Sequence, residues 1–451
     1  MKIKYNYLIF SIAILSIVLR MFFLHPTFSD ENFYFNAAKV FISGNIPYKD
    51  FFFAHPPFQL FLLGLIFETF GTSFLIAKII PLAFSTLSFI LVFFVGKKFF
   101  DEKTAFVSAI IFLIVPQFIS FSLIDVGIFE TMTFLLLSLL FYSKDKEILS
   151  AIFFAIAIYF RYLIAPFLLV FYIFDKKRFR RFFLYSFVIA ASLFAIFYLI
   201  FGFNYVRDTI FFHILSKTSL GSSSEFNFPL LKSNLEFDFP LIIFSLCAIA
   251  LGLRKKEKLL VMLASLPLAY DVLLFLFIKN PVYQYFLFSL PLYAFVAGRL
   301  FVKINDKIIR ILIFGIILFS IFSNVITIDY FLNPLHSKKY FEIADFFARN
   351  SINSDKIVGE PSVASFVAFT QNVSVPVKYT DLFIGHVMFE GSSDFISVMK
   401  NEKPKFFIEA YYLNSSYYFR FPEIEQYVVQ HYASVLNTTG IPNYYVYQLK
   451  G

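Results

Sequence analysis

Apolar runs of membrane-spanning length recur along the first three quarters of this chain, and no soluble fold accommodates so many of them. A helix needs about 20 apolar residues to cross a bilayer. Runs of that kind fall near residues 8–24, 74–95, 104–121, 126–142, 148–160, 163–174, 182–201, 239–253, 259–278, 284–301 and 308–328. Read as helices they give about eleven crossings. The composition agrees, since 59% hydrophobic content, 71 Phe and only 15% charged residues leave more apolar surface than one soluble core buries. The expected fold is an all-α polytopic membrane protein. Trp is absent, so the 27 Tyr must furnish any aromatic belt. The single Cys247 excludes a disulfide framework and a cysteine-rich metal site.

A net charge of +9 does not point to nucleic acid, because the basic residues fall in short clusters between apolar runs. Lys97, Lys98 and Lys103, Lys144 and Lys146, and the clusters within 176–181, 254–258 and 299–310 share one side if the runs alternate from a cytoplasmic N-terminus. The first run has a basic start but no small-residue cleavage site before Asp30, and is expected to be a retained helix. One stretch tests the topology. Only about 27 residues separate Glu147 from Asp175, about 40 Å as one helix, yet both flanks are basic. Two short helices meeting near Arg161 and Tyr162 satisfy both facts, whereas one long helix inverts everything downstream.

This topology gathers the uncommon polar residues on the extracytoplasmic side. The first outer loop, 28–72, is the most polar interruption in the apolar region. Within it residues 31–43 read as a short amphipathic helix at the membrane interface, ended by Ser43-Gly44-Asn45, and Pro56-Pro57 starts a second over 58–70, closed by Gly71. Residues 1–330 are thus expected to form the membrane domain, and 331–451 a small α/β extracytoplasmic domain. In that tail 340–350 has helical spacing, while 356–360, 405–411 and 443–449 look like strands. Three glycosylation-type sequons, at Asn372, Asn414 and Asn437, all lie there.

The candidate site residues are few. Asp30 and Glu31 stand together where a membrane helix should end; such a carboxylate takes a proton from an attacking hydroxyl or holds a divalent cation, and the alternative is a pair of solvated interfacial acids. Asp125, in the turn after the third run, is a second carboxylate on the same face, suited equally to a metal or to a helix N-cap. His55, before Pro56-Pro57, can contact a phosphate or move a proton. Arg161 lies between two apolar half-helices, where its planar fork suits a lipid-linked phosphate or snorkels to headgroups. Arg207, His213 and Lys217 extend an anion site or face headgroups. No Walker loop, Gly-x-Gly-x-x-Gly fingerprint, nucleophile elbow or His-Glu-x-x-His motif is present, which argues against a nucleotide-driven pump and a zinc protease.

The order of features resembles a known family. Asp30-Glu31, then Tyr34 and Ala37-Ala38 on a short helix, Gly44-x-x-Pro47-Tyr48-x-Asp50, His55-Pro56-Pro57, a later helix ending Gly96-Lys97-Lys98-Phe99-Phe100, and Asp125 after the third run together resemble the GT-C superfamily of integral-membrane glycosyltransferases. The likeness is to the branch with the protein O-mannosyltransferases and the lipid A aminoarabinose transferase, and it covers residues 1–181. The resemblance implies inverting transfer of a hexose or pentose from a polyprenyl- or dolichyl-phosphate carrier to an acceptor hydroxyl on a glycan, protein or lipid, at the outer face. It matches Asp30 to the catalytic aspartate with Glu31 beside it, and Asp125 to the second acidic position. It makes His55 and Arg161 the candidates for the donor phosphate, with Arg207 added from its own position in the chain, and Asp30 with Asp125 the candidates for a divalent cation (Mg, Mn or Zn). One departure leaves metal dependence open: some relatives carry an acid where this chain has Phe53. A transporter or flippase of lipid-linked saccharides is the alternative, and would be expected to show repeated halves and broken helices at mid-membrane.

Overall fold

The computed structural model describes residues 5–27, 29–217, 228–278, 283–303, 307–371, 373–412, 415–438 and 442–451. Among them five helices are long and apolar enough to cross a membrane: Phe74–Phe99, Lys176–Phe201, Phe237–Lys255, Lys258–Phe277 and Tyr283–Lys303. The bent pair Phe314–Ser323 and Val325–Leu332 makes a sixth. The other expected crossings are shorter or interrupted. The third run divides into Glu102–Ile114 and Pro116–Phe121, because Pro116 forces Val115 into an extended conformation (φ −69°, ψ 146°). Side chains start the long helices where the sequence provides caps: the Ser73 hydroxyl accepts from Ile76 N, and Asp175 accepts from Lys177 N and Arg178 N. The helix Phe228–Lys255 begins ahead of the apolar run expected over 239–253.

The chain turns back at Arg161. Glu147–Phe160 ends there in extended backbone, and Tyr162–Phe167 and Leu168–Phe174 lead away from it. Tyr142 Oη donates to the Asp175 carbonyl at 2.7 Å, Arg178 pairs with Asp145, and Arg181 pairs with Glu147 at 3.0 Å. These contacts bring the two ends of the stretch together, which a single straight helix forbids.

In the tail, β1 (Ile357–Gly359) runs parallel to β2 (Phe406–Tyr412), and β5 (Asn443–Leu449) lies antiparallel between β2 and β4 (Tyr432–Asn437), with the short β3 (Ser415–Ser416) also on β2. The strand β4 and the helices Pro361–Thr370, Ser392–Glu402 and Pro422–His431 were not expected from the sequence. The sheet and its helices enclose a core of their own, distinct from that of the membrane helices. Asn437 is exposed at the end of β4; Asn372 and Asn414 lie outside the described residues.

The tail sits on the first loop. The loop helix Glu31–Ile42 is not half-open at an interface, because Glu31 through Ala38 are all buried. Its polar side is covered by Pro361–Thr370: Asn32 Nδ2 donates to the Ser362 carbonyl at 3.1 Å, and Lys39 Nζ donates to the Ala368 carbonyl at 2.6 Å. Lys39 thereby satisfies carbonyls at the C-terminus of the tail helix, where a cation is favoured. Phe369 packs between Phe35 and Phe67, with ring centres 5.6 and 5.4 Å away.

Farther out, His386 of the tail stacks on Phe52 of the loop, rings 4.0 Å apart and 11° from parallel. Its Nδ1–H donates to the Asp381 carbonyl at 2.8 Å. Burial, assisted by Arg207 and Lys378, holds the imidazole down from 6.5 to about 4. A base with a depressed folded-state pKa contributes stability that is complete above 6.5 and is lost as pH falls through about 4. Acidification from neutral pH through that window is expected to weaken the tail–loop contact by about 3 kcal/mol. Hydrogen exchange of residues 47–55 against pH measures it, and His386→Phe should flatten the profile.

Candidate active site

Consecutive residues on a helix point about 100° apart, so two neighbouring carboxylates at a helix start cannot share one environment. Asp30 and Glu31 show this. Glu31 is fully buried and faces inward, where Lys78 Nζ lies 3.0 and 2.9 Å from its two oxygens; both side chains have 0% exposure. Thr27 Oγ1 donates to the same carboxylate at 2.7 Å, and Asp125 N at 3.3 Å. Asp30 faces outward. It is exposed, occupies the N-cap position without a side-chain capping bond, and lines two adjoining cavities.

Behind Asp30 a chain of hydrogen bonds ties the loop to the helix ends. Gln59 Nε2 donates to Asp125 Oδ1 at 2.7 Å, and Arg161 donates to Gln59 Oε1 at 2.8 Å and, through Nε, to the Val126 carbonyl at 3.0 Å. The Arg161 guanidinium also lies 5.2 Å from the centre of the Tyr34 ring, and Tyr34 lines the first cavity. Arg161 is thus engaged by protein groups, lies against the Tyr34 ring, and is not among the residues lining these two cavities. Asp125 is buried; desolvation pushes its carboxyl up to about 7, against the Gln59 hydrogen bond.

Gly127 makes this packing feasible. Its φ of +73° is left-handed, and a Cβ there would stand 2.8 Å from Gln59 Oε1 and 3.1 Å from Arg161 Cζ. Gly127→Ala is expected to cost about 1–3 kcal/mol from the backbone alone. It should also displace Arg161, so a thermal melt and a turnover assay should both fall.

The other expected residues separate. His55 lines the first cavity, its ring 5.4 Å from Tyr34 and 5.5 Å from His213, whose Nε2 is 2.5 Å from the Ala54 carbonyl. Arg207 does not reach a cavity as a free cation. It pairs with Asp208 at 2.8 Å and with Glu390 of the tail at 3.2 Å, so its role here is to clamp the tail to the segment after residue 202. The side chain of Lys217 lies outside the described residues.

Among the described residues no group of three or more His, Cys, Asp or Glu side chains is arranged to hold a metal ion, and the two residues expected to share a divalent cation have different surroundings, Asp30 lining the cavities and Asp125 buried. The positive charge beside Glu31 comes from Lys78. The sequence reading missed Lys78, Gln59 and, in the tail, Glu360 and Arg420. Lys78 carried a usable signal, a lone charge inside an apolar run, which is costly unless paired; Glu360 precedes Pro361, a helix-start pattern.

The two cavities meet at Ser29, Asp30, Pro361, Ser362 and Phe383. The first, about 50 Å³, is lined on its far side by Tyr34, His55, Phe212 and Asp381. The second, about 460 Å³, extends between Phe121, Tyr283 and Phe331 on the membrane side and Glu360 and Arg420 on the tail side.

Over its whole length the chain superposes on ArnT from Cupriavidus metallidurans bound to undecaprenyl phosphate, with a TM-score of 0.64 at 12% identity, covering 99% of this chain and 98% of that one. The chain has the GT-C fold. Two structures of the oligosaccharyltransferase of Archaeoglobus fulgidus share the GT-C architecture. One, AglB with an inhibitory peptide and a dolichol-phosphate, gives a TM-score of 0.56 at 14% identity, covering 89% of this chain and 69% of that one. The other, a complex with Zn and sulfate, gives 0.55 at 16%, covering 89% and 67%. Residues 54–201 match the family model described as dolichyl-phosphate-mannose-protein mannosyltransferase, which takes in His55, Gln59, Lys78, Asp125 and Arg161 of this GT-C chain. No curated protein matches it by sequence. With its apolar helices, the chain is a multi-pass membrane protein.

Proposed function

We propose that this protein transfers a sugar from a polyprenyl- or dolichyl-phosphate carrier to an acceptor hydroxyl at the extracytoplasmic face, with Asp30 as general base and inversion at the anomeric carbon. The observation that carries the reading is the Asp30 carboxylate, without a side-chain capping bond and exposed where two cavities meet on a GT-C scaffold. The acceptor oxygen attacks the anomeric carbon as Asp30 takes its proton. The bond from that carbon to the phosphate oxygen breaks, and the electron pair leaves on the lipid phosphate. Such a leaving group is already an anion and needs charge stabilisation more than protonation. His55, with His213 beside it, is the group lining the first cavity that suits this task. Glu31, paired to Lys78, holds the loop helix and thereby Asp30. The N-terminus is cytoplasmic in this reading, and the tail, 331–451, is outside with the acceptor.

The test uses protein in nanodiscs, a panel of lipid-linked sugars as donors, and release of polyprenyl phosphate as the readout. Release with at least one donor supports the reading. A protein that releases none, yet carries lipid-linked sugar across a vesicle membrane, is a flippase instead.

A further inference from the structure

The second cavity has features that the base and the leaving group do not use. Glu360 is fully buried, and one carboxylate oxygen caps the helix Pro361–Thr370 by accepting from Val363 N at 2.9 Å. Its other oxygen, Oε1, has no hydrogen-bond partner, although an unsatisfied buried polar atom is costly. Glu360 lines the cavity shared with Asp30. Burial pushes its carboxyl up to about 7, and the nearby Asp30 adds to that, so the group can exchange a hydrogen bond with a hydroxyl in either sense. At the exposed rim Arg420 bonds through Nε to the Ser416 and Tyr417 carbonyls, and among the described residues its terminal nitrogens donate to no side chain.

The opposite wall is apolar and belongs to the membrane helices. Phe121 ends Pro116–Phe121 and Phe331 lies near the end of Val325–Leu332, their rings 4.8 Å apart. Phe118, Ile119 and Leu332 of these same helices line a further, largely apolar groove of about 280 Å³ against the first helix, whose Arg20 stands in its wall. The membrane helices thus present apolar side chains to the cavity, while carboxyl and guanidinium face it from the tail.

Resting on the function proposed above, we infer that this cavity seats the acceptor, and that the acceptor is a membrane-anchored amphiphile with a hydroxyl-bearing, anionic head. The hydroxyl lies between Glu360 and Asp30, the anion meets Arg420, and the chain follows Phe121 and Phe331 into the groove. In-line displacement supports the assignment, because nucleophile and leaving group must approach the anomeric carbon from opposite sides, and the first cavity already holds the His55 side. The tail is then an acceptor-binding part of the enzyme as well as a cover.

The absence of Trp provides a clean reporter. In nanodiscs, full-length Phe331→Trp is titrated with a phosphorylated glucosyl diacylglycerol carrying brominated chains, and fluorescence quenching is read; brominated phosphatidylcholine is the control. Saturable quenching beyond the control is expected, unaffected by undecaprenyl phosphate and weakened about tenfold by Glu360→Gln, whose carbonyl keeps the cap but whose amide nitrogen only donates. Arg420→Ala should weaken the phosphorylated probe more than its phosphate-free analogue. Displacement by undecaprenyl phosphate would overturn the inference, since the groove would belong to the donor. Displacement by a serine-containing peptide, or quenching no stronger than the control, would overturn it equally. If Phe331→Trp does not fold, Phe121→Trp reports from the facing wall. Binding is read without turnover, so this outcome is independent of the donor-cleavage assay.

Discussion

Asp30→Asn is expected to slow sugar transfer by about a hundred- to ten-thousand-fold, the range general-base removal usually produces. The change is nearly isosteric, and the Asp30 carboxylate makes no side-chain capping bond that its loss would break. Stability and polyprenyl-phosphate binding should therefore stay near wild type. Single-turnover release of polyprenyl phosphate, with melting and donor binding measured on the same preparation, separates chemistry from folding. A variant that keeps donor binding and loses turnover supports the base. One that retains more than about a tenth of the rate shows that another group takes the proton.

Lys78→Met should have the largest effect on stability. It leaves the Glu31 carboxylate fully buried without its cation, and breaking one side of a buried pair typically costs about 3–5 kcal/mol. Glu31 also receives the Thr27 hydroxyl and the Asp125 backbone, so the disturbance should reach Gln59 and Arg161 and lower turnover too. Adding Glu31→Gln removes the stranded charge, and the double variant should recover most of the lost stability. Thermal melts of the two single variants and the double form the cycle. If Lys78→Met melts with wild type, Glu31 has another source of compensation and the pair is not what holds the loop.

Much of the frame was legible because it follows from local chemistry. The loop helices and the turn at Arg161 are marked by Ser43-Gly44, Pro56-Pro57 and a lone guanidinium between apolar halves, and β1, β2 and β5 by apolar segments bounded by polar residues. The helix Pro361–Thr370 was not legible. It is buried on nearly every side between the sheet and the loop, so it lacks the polar face that gives an amphipathic period. The strand β4 is largely exposed and offers no alternating apolar signal. At the site, sequence adjacency made Asp30 and Glu31 look like partners, whereas helical geometry turns one toward the cavities and the other toward Lys78. The true partner of Glu31 is 47 residues away within an apolar run. Glu360 and Arg420 reach the Asp30 cavity only through the docking of the tail, a tertiary relation no local pattern encodes.

That docking also sets an order of events during synthesis. The helix that Lys39 holds over the loop follows β1, whose neighbour β2 receives its full-length partner, β5, only from the last residues of the chain. A nascent protein whose membrane helices are already inserted has an open edge along β2 until residues 443–449 have been made. Closing the sheet behind the helix that covers the loop is therefore tied to completion of the chain.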